Sequence, residues 1–227
     1  MPIDYFEHIE YHFPIPSKIA DLTEFADYFD KLRTAHDYNF MSETQMAQSF
    51  LTAIQGKVEI KRTWGSYLLD KVKDLVKGGV PHWHATITPN IDPISELAGP
   101  YARTLGVVIE KGAAFSNLSL DTTSDIYTSQ GSRMYIGLDK PVIVGIQPNQ
   151  DRLHLIRSNV PVEITSQDGV YHIQLQAAGL QQVKLYSRDE LHIEAAGADI
   201  KHDAEAHTYT ITRYGDAAEF MLTKAQQ

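Results

Sequence analysis

Residues 162–176 read VEITSQDGVYHIQLQ. After Gly169 the side chains alternate: Tyr171, Ile173 and Leu175 point one way, while Val170, His172 and Gln174 point the other. That period of two belongs to a strand with one face turned to a core. Ser166-Gln167-Asp168-Gly169 breaks the run, and Asp-Gly tolerates the positive φ that a tight primed turn demands. The stretch therefore predicts an antiparallel hairpin.

The same texture extends in both directions from the hairpin. Short β-rich runs recur every 8–12 residues or so, with turn residues between them. They cover Thr104–Glu110, Asn117–Leu120, Arg133–Leu138, Val142–Ile146, Arg152–Arg157, Gln182–Tyr186, Glu190–Glu194 and Thr208–Arg213. Such spacing predicts a β-sandwich of two antiparallel sheets over 101–227. Upstream the period changes. Leu22, Phe25, Ala26, Phe29 and Leu32 form a helical stripe, and a short apolar segment follows at Tyr38, Phe40 and Met41. Ser42 with Gln45 makes a capping box, and Met46, Phe50, Leu51 and Ile54 supply a second helical stripe ending near Gly56. Lys57–Thr63 reads as a strand. A third helix from Ser66 to Gly78-Gly79 is expected to bury Leu68, Leu69, Val72, Leu75 and Val76. Prolines at 81, 89, 93 and 100 mark irregular chain with one strand near His84–Ile87. The expected class is thus α+β: a helical segment over 1–80, a linker over 81–100 and the sandwich over 101–227.

Composition excludes several roles. With 20 Lys and Arg against 29 Asp and Glu, the net charge is −9, and no basic run offsets it, so nucleic acid is not an expected partner. No apolar stretch is long enough to span a bilayer, and MPIDYFEHIEYHF at the start lacks the apolar core of a signal peptide. The compartment stays open between the cytoplasm and, for a mature fragment, the cell exterior. The absence of cysteine removes disulfides, thiolate metal sites and cysteine nucleophiles. No G-x-S-x-G elbow, P-loop or dinucleotide fingerprint occurs.

Histidine is the abundant reactive side chain, with ten copies. In His82-Trp83-His84 the two imidazoles share one side of an extended segment, a spacing that suits a divalent metal. The acids that would complete such a site come late, at Asp92 and Glu96. Glu190, His192 and Glu194 share a strand face opposite Leu191 and Ile193, the pattern of a solvated surface. Aromatic residues gather at loops and strand ends. Trp64, Trp83, Tyr101 and Tyr135 are the candidates for ligand contact, because a sugar ring presents an apolar C–H face that packs on an aromatic plane.

Residues 9–50, IEYHFPIPSKIADLTEFADYFDKLRTAHDYNFMSETQMAQSF, resemble the closing stretch of polysaccharide deacetylases of the NodB type. Phe25, Tyr28, Phe29 and Leu32 match that family's penultimate helix. Tyr38, Phe40 and Met41 match its aromatic-rich strand, and Ser42, Met46 and Ala47 the start of its last helix. His12 falls where the final family histidine would stand. The paired aspartates and the arginine–proline motif of the family's metal centre have no counterpart here. The resemblance implies either a C-terminal piece of a larger protein, with a catalytic domain ahead of residue 1, or a relic that lost its catalytic core, and a β-region acting as a non-catalytic carbohydrate module. The expected partner is a polysaccharide or oligosaccharide. The alternatives from the residues themselves are a metal-dependent hydrolase built on His82 and His84, and a structural sandwich that packs on another protein.

Overall fold

The computed structural model describes residues 42–76, 78, 83–112, 118–146 and 152–225, together with positions 27, 28 and 31. The chain forms two compact units, 1–43 and 44–227. In the first, Asp27, Tyr28 and Lys31 are helical and lie within the span of the first expected helix, between the positions of its apolar stripe. The stripe itself (Leu22, Phe25, Ala26, Phe29 and Leu32), the segment at Tyr38–Met41 and His12 lie outside the described residues.

In the second unit the described residues build fifteen strands in four small sheets. One sheet has the order β1 (Lys57–Lys61), β2 (His84–Asn90), β7 (Val142–Ile146), β4 (Leu120–Thr122). A three-stranded sheet follows with β3 (Leu105–Glu110), β6 (Arg133–Leu138) and β5 (Tyr127–Gln130). A third contains β13 (Asp199–Asp203), β14 (Thr208–Gly215), β11 (Gly179–Tyr186) and β8 (His154–Ser158). The fourth contains β12 (Leu191–Glu194), β15 (Ala218–Lys224), β10 (Val170–Leu175) and β9 (Val162–Gln167). Helix α1 (Glu43–Gln55) precedes β1, helix α2 (Trp64–Val76) joins β1 to β2, and a 3₁₀ segment (Glu96–Arg103) leads into β3.

This architecture corrects the α+β, helix-then-sandwich expectation. Strand accounts for 50% of the chain against 22% helix, and the four sheets stand as the blades of a four-bladed β-propeller. The blades are interleaved rather than consecutive, since β2 pairs with β7 and β10 with β15. The two strands expected before residue 101, at Lys57–Thr63 and His84–Ile87, form as β1 and β2 and belong to the same set of sheets. β1 and β2 form a blade with strands that lie about 30 to 80 residues further on. Period-two alternation announces a strand but carries no address for its partner, which is why the local reading found strands and missed their grouping.

Two cores result. One is drawn from the third and fourth sheets and centres on Leu155, Ile173, Val183, Leu185, Ile211, Phe220 and Leu222, all 0–1% exposed. The other is drawn from the first two sheets and contains Ile87, Met134, Ile136, Leu138, Val142 and Val144, with Trp83 packed against it. The hairpin expected at Ser166-Gln167-Asp168-Gly169 is the β9–β10 turn. Gln167 pairs with Val170, and Asp168 and Gly169 hold φ of 52° and 81°.

The helices differ from expectation in what they bury. On α2 the single buried residue is Asp70, whereas Leu68, Leu69, Val72, Leu75 and Val76 are exposed by 47–84%. On α1 the buried residues are Gln45 and Thr52, and Phe50 and Ile54 face outward. A helical stripe shows that a helix has two faces, but not which face the body covers. In both helices polar side chains make the attachment. Thr52 Oγ donates to the Tyr101 carbonyl at 2.8 Å, and Gln45 Nε2 donates to Ala178 O at 3.3 Å.

Candidate functional site

The corner formed by β1, α2 and β2 brings together aromatic rings, two cations and a buried carboxylate. Helix α2 starts two residues before the expected Ser66 because Thr63 caps it. The Thr63 hydroxyl accepts from Ser66 N at 3.2 Å, and the Thr63 carbonyl accepts from Tyr67 N at 3.0 Å. This start places Trp64 and Tyr67 one turn apart on the same face. Their rings stack with centroids 5.3 Å apart and planes inclined by 21°. Trp64 is 72% exposed. Arg62, the residue before the cap, lays its guanidinium 5.2 Å from the Tyr67 ring and 5.9 Å from that of Trp83. Lys71, one turn on from Tyr67, holds its ammonium 5.7 Å from the same ring.

Beneath this surface lies Asp70, with a side chain only 2% exposed. A buried carboxylate is costly unless donors surround it, and Asp70 has three. Arg62 Nη2 lies 2.9 Å from Oδ2, the His84 backbone N–H donates to Oδ2 at 3.2 Å, and His84 Nδ1 is 2.7 Å from Oδ1. Burial pushes the Asp70 carboxyl up, but hydrogen bonds from Arg62 and His84 outweigh it and hold the group below its ordinary 3.8. An ionised carboxylate only accepts, so His84 carries a proton on Nδ1 and offers Nε2 to whatever approaches. The His84 side chain is 31% exposed, enough for such contact.

Close backbone approach sets the position of this imidazole. His84 pairs with Gly145 of β7, and Ile146 N donates to Trp83 O at 2.7 Å. A Cβ at Gly145 would fall 2.9 Å from the Trp83 carbonyl oxygen, so any side chain there would displace the Trp83–His84 backbone. Trp83 in turn packs on the first two sheets' core. The corner thus has a fixed floor and an open aromatic surface.

The candidates from sequence divide accordingly. Trp64, Trp83 and His84 come together here, whereas His82 lies outside the described residues. Among those residues no group of three His, Asp or Glu side chains is arranged to hold a metal ion. Tyr101 is buried at 3% exposure, and its hydroxyl donates to the Asn159 carbonyl at 3.0 Å. That corrects its assignment as a ligand contact, because its ring is enclosed by the protein. Tyr135 lies apart, with Val108, Ile126 and Ile156, in an apolar groove of about 260 Å³. The groove offers a ligand little besides hydrocarbon and tyrosine.

Of the other histidines, His192 and Glu194 are exposed on β12 with 3.6 Å between charged atoms. His172 Nδ1 lies 2.7 Å from Glu219 Oε1 across the β10–β15 pair. Both belong to a solvated sheet face. His154 stacks on Tyr127 at 3.9 Å and approaches Tyr186 at 5.1 Å, while Arg152 lies 5.4 Å above the Tyr127 ring. Next to this column Ile126 and Leu155 form a parallel bridge, so the rings join the two halves of the unit. Sequence reasoning missed Arg62, Tyr67 and Asp70. An acid on a helix reads as a surface charge, and only the fold shows that the helix turns its polar side inward.

No family model matches the chain, and neither curated proteins nor solved structures provide a match. No helix among the described residues is long and apolar enough to cross a membrane.

Proposed function

We propose that this chain binds carbohydrate at the β1–α2–β2 corner, as a non-catalytic module. The observation that carries this reading is the exposed Trp64 ring, stacked on a half-buried Tyr67, beside two polar groups, Arg62 and His84, that a buried Asp70 holds in place. A sugar needs both kinds of surface. Its C–H face packs on an aromatic plane, and its hydroxyls need directional partners. The Trp64 indole supplies the plane. Arg62 donates, and His84 Nε2 accepts from a hydroxyl when the ring is neutral. Because Asp70 fixes both groups before a ligand arrives, little side-chain freedom is lost on binding.

The test is calorimetric titration of the full chain against a panel of oligosaccharides, repeated with Trp64→Ala. The expected result is binding to at least one member of the panel, weakened about tenfold or more by the substitution, with thermal unfolding unchanged. Absence of heat across neutral and charged glycans alike overturns the proposal.

A further inference from the structure

The corner also carries a charge pattern that narrows the ligand class. Arg62 and Lys71 both point their cationic groups at the Tyr67 ring, 5.2 and 5.7 Å from its centroid. The acid that Arg62 engages, Asp70, is buried, and its two oxygens already accept from Arg62 and His84. It therefore does not present its charge to solvent beside Trp64. Lys71 is 59% exposed, and its contact with Asp74 is long at 3.9 Å. A guanidinium has five N–H donors, and Asp70 engages Arg62 through Nη2 alone. The remaining donors, with Lys71 nearby, form a cationic edge to an aromatic platform. That edge stands out on a chain whose net charge is −9.

We infer that the ligand is an anionic glycan, with carboxylate or sulfate groups on its sugars, whose charge is met by Arg62 and Lys71 while a ring packs on Trp64. The inference rests on the carbohydrate reading above and names the substrate class of that same site. A guanidinium fork matches the two oxygens of a carboxylate or a sulfate ester, and hydrogen bonds to charged groups exceed neutral ones in strength. A neutral glycan would leave the cationic edge unused and would gain only the stacking and hydroxyl contacts.

The experiment compares three probes of equal length on the full chain, each at low and high salt: an oligogalacturonate, a sulfated galactan oligosaccharide and a neutral gluco-oligosaccharide. The expected result is that an anionic probe binds about tenfold or more tightly than the neutral one, as one charge-assisted hydrogen bond provides. Its affinity should fall as salt rises. Whether the uronate or the sulfated probe wins identifies the source of the charge. Lys71→Gln should weaken the anionic probe by about two- to fivefold, in keeping with an exposed charge, and leave the neutral probe unaffected. Equal binding of neutral and anionic probes, indifferent to salt and to Lys71→Gln, overturns the inference and leaves carbohydrate binding standing. Anionic binding untouched by Trp64→Ala places the attraction elsewhere and overturns both readings, as does failure of all three probes to bind.

Discussion

The β8–β15 region and the β1–α2–β2 corner solve the problem of attachment in opposite ways. In the first, strands from two sheets deliver Leu155, Ile173, Val183, Leu185, Ile211, Phe220 and Leu222 to one apolar core. In the second, a thirteen-residue helix buries one residue, and that residue is an aspartate. Apolar burial is strong and non-directional, so it holds sheets together without fixing any one polar atom. A carboxylate with three donors is geometrically exacting, so it fixes the atoms around it while burying little. The corner is held by direction rather than by area, as the proposed binding surface requires.

The largest effect expected from this contrast comes from the core. Phe220→Ala should lower unfolding free energy by about 3–5 kcal/mol, whereas Leu75→Ala, at 84% exposure, should stay within about 0.5 kcal/mol. Urea denaturation of both variants reads the difference, and similar losses would break the comparison. Next in size, Asp70→Asn should cost about 1–3 kcal/mol, because Arg62 and His84 lose a charged acceptor. The pH dependence has a definite sign. The folded carboxyl titrates below 3.8, so its stabilising contribution is complete above that value and is lost as pH falls through the lower folded one. Acid titration of the two proteins should show a step in the wild type that the asparagine variant lacks.

Gly145→Ala sharpens the comparison from beneath the site. The new methyl meets the Trp83 carbonyl at 2.9 Å, and the strain should cost about 1–3 kcal/mol. Indole fluorescence should report the movement of Trp83. The smallest effect belongs to Tyr101→Phe, expected at about 0.5–1.5 kcal/mol for one hydrogen bond to Asn159 O. Burial pushes the Tyr101 phenol up to about 12, so its contribution is intact below the ordinary 10.0 and is lost as pH rises through about 12. Ultraviolet titration should show one tyrosine ionising late, and a phenol that titrates with the exposed tyrosines would refute its enclosure.

Local chemistry made the strands and the hairpin readable. Arg133–Leu138 alternates cleanly and Val142–Ile146 is a short apolar run, and both form strands with those bounds. Asp168-Gly169 adopts the positive φ its residue types allow. Strands without a buried face were not readable. Every residue of Asp199–Asp203 is exposed, so it has no apolar alternation to betray it, and Tyr127–Gln130 is only four residues long. Sheet membership was hidden for a different reason, since Leu120–Thr122 and Lys57–Lys61 join one blade across more than fifty residues. At the site, Trp64, Trp83 and His84 were visible by residue type. Asp70 was not, because its partner His84 lies fourteen positions away on another element.

The contact between α2 and the body through Asp70 has a consequence for how this surface can change over time. A mutation on the outer side of the helix, at Trp64, Leu68 or Val72, touches neither core, so its effect on folding should simply add to any other. Ligand preference can then drift through many substitutions while foldability stays constant. The protein in effect separates the residues that keep it folded from those of the proposed binding surface, and one aspartate forms the boundary between the two sets.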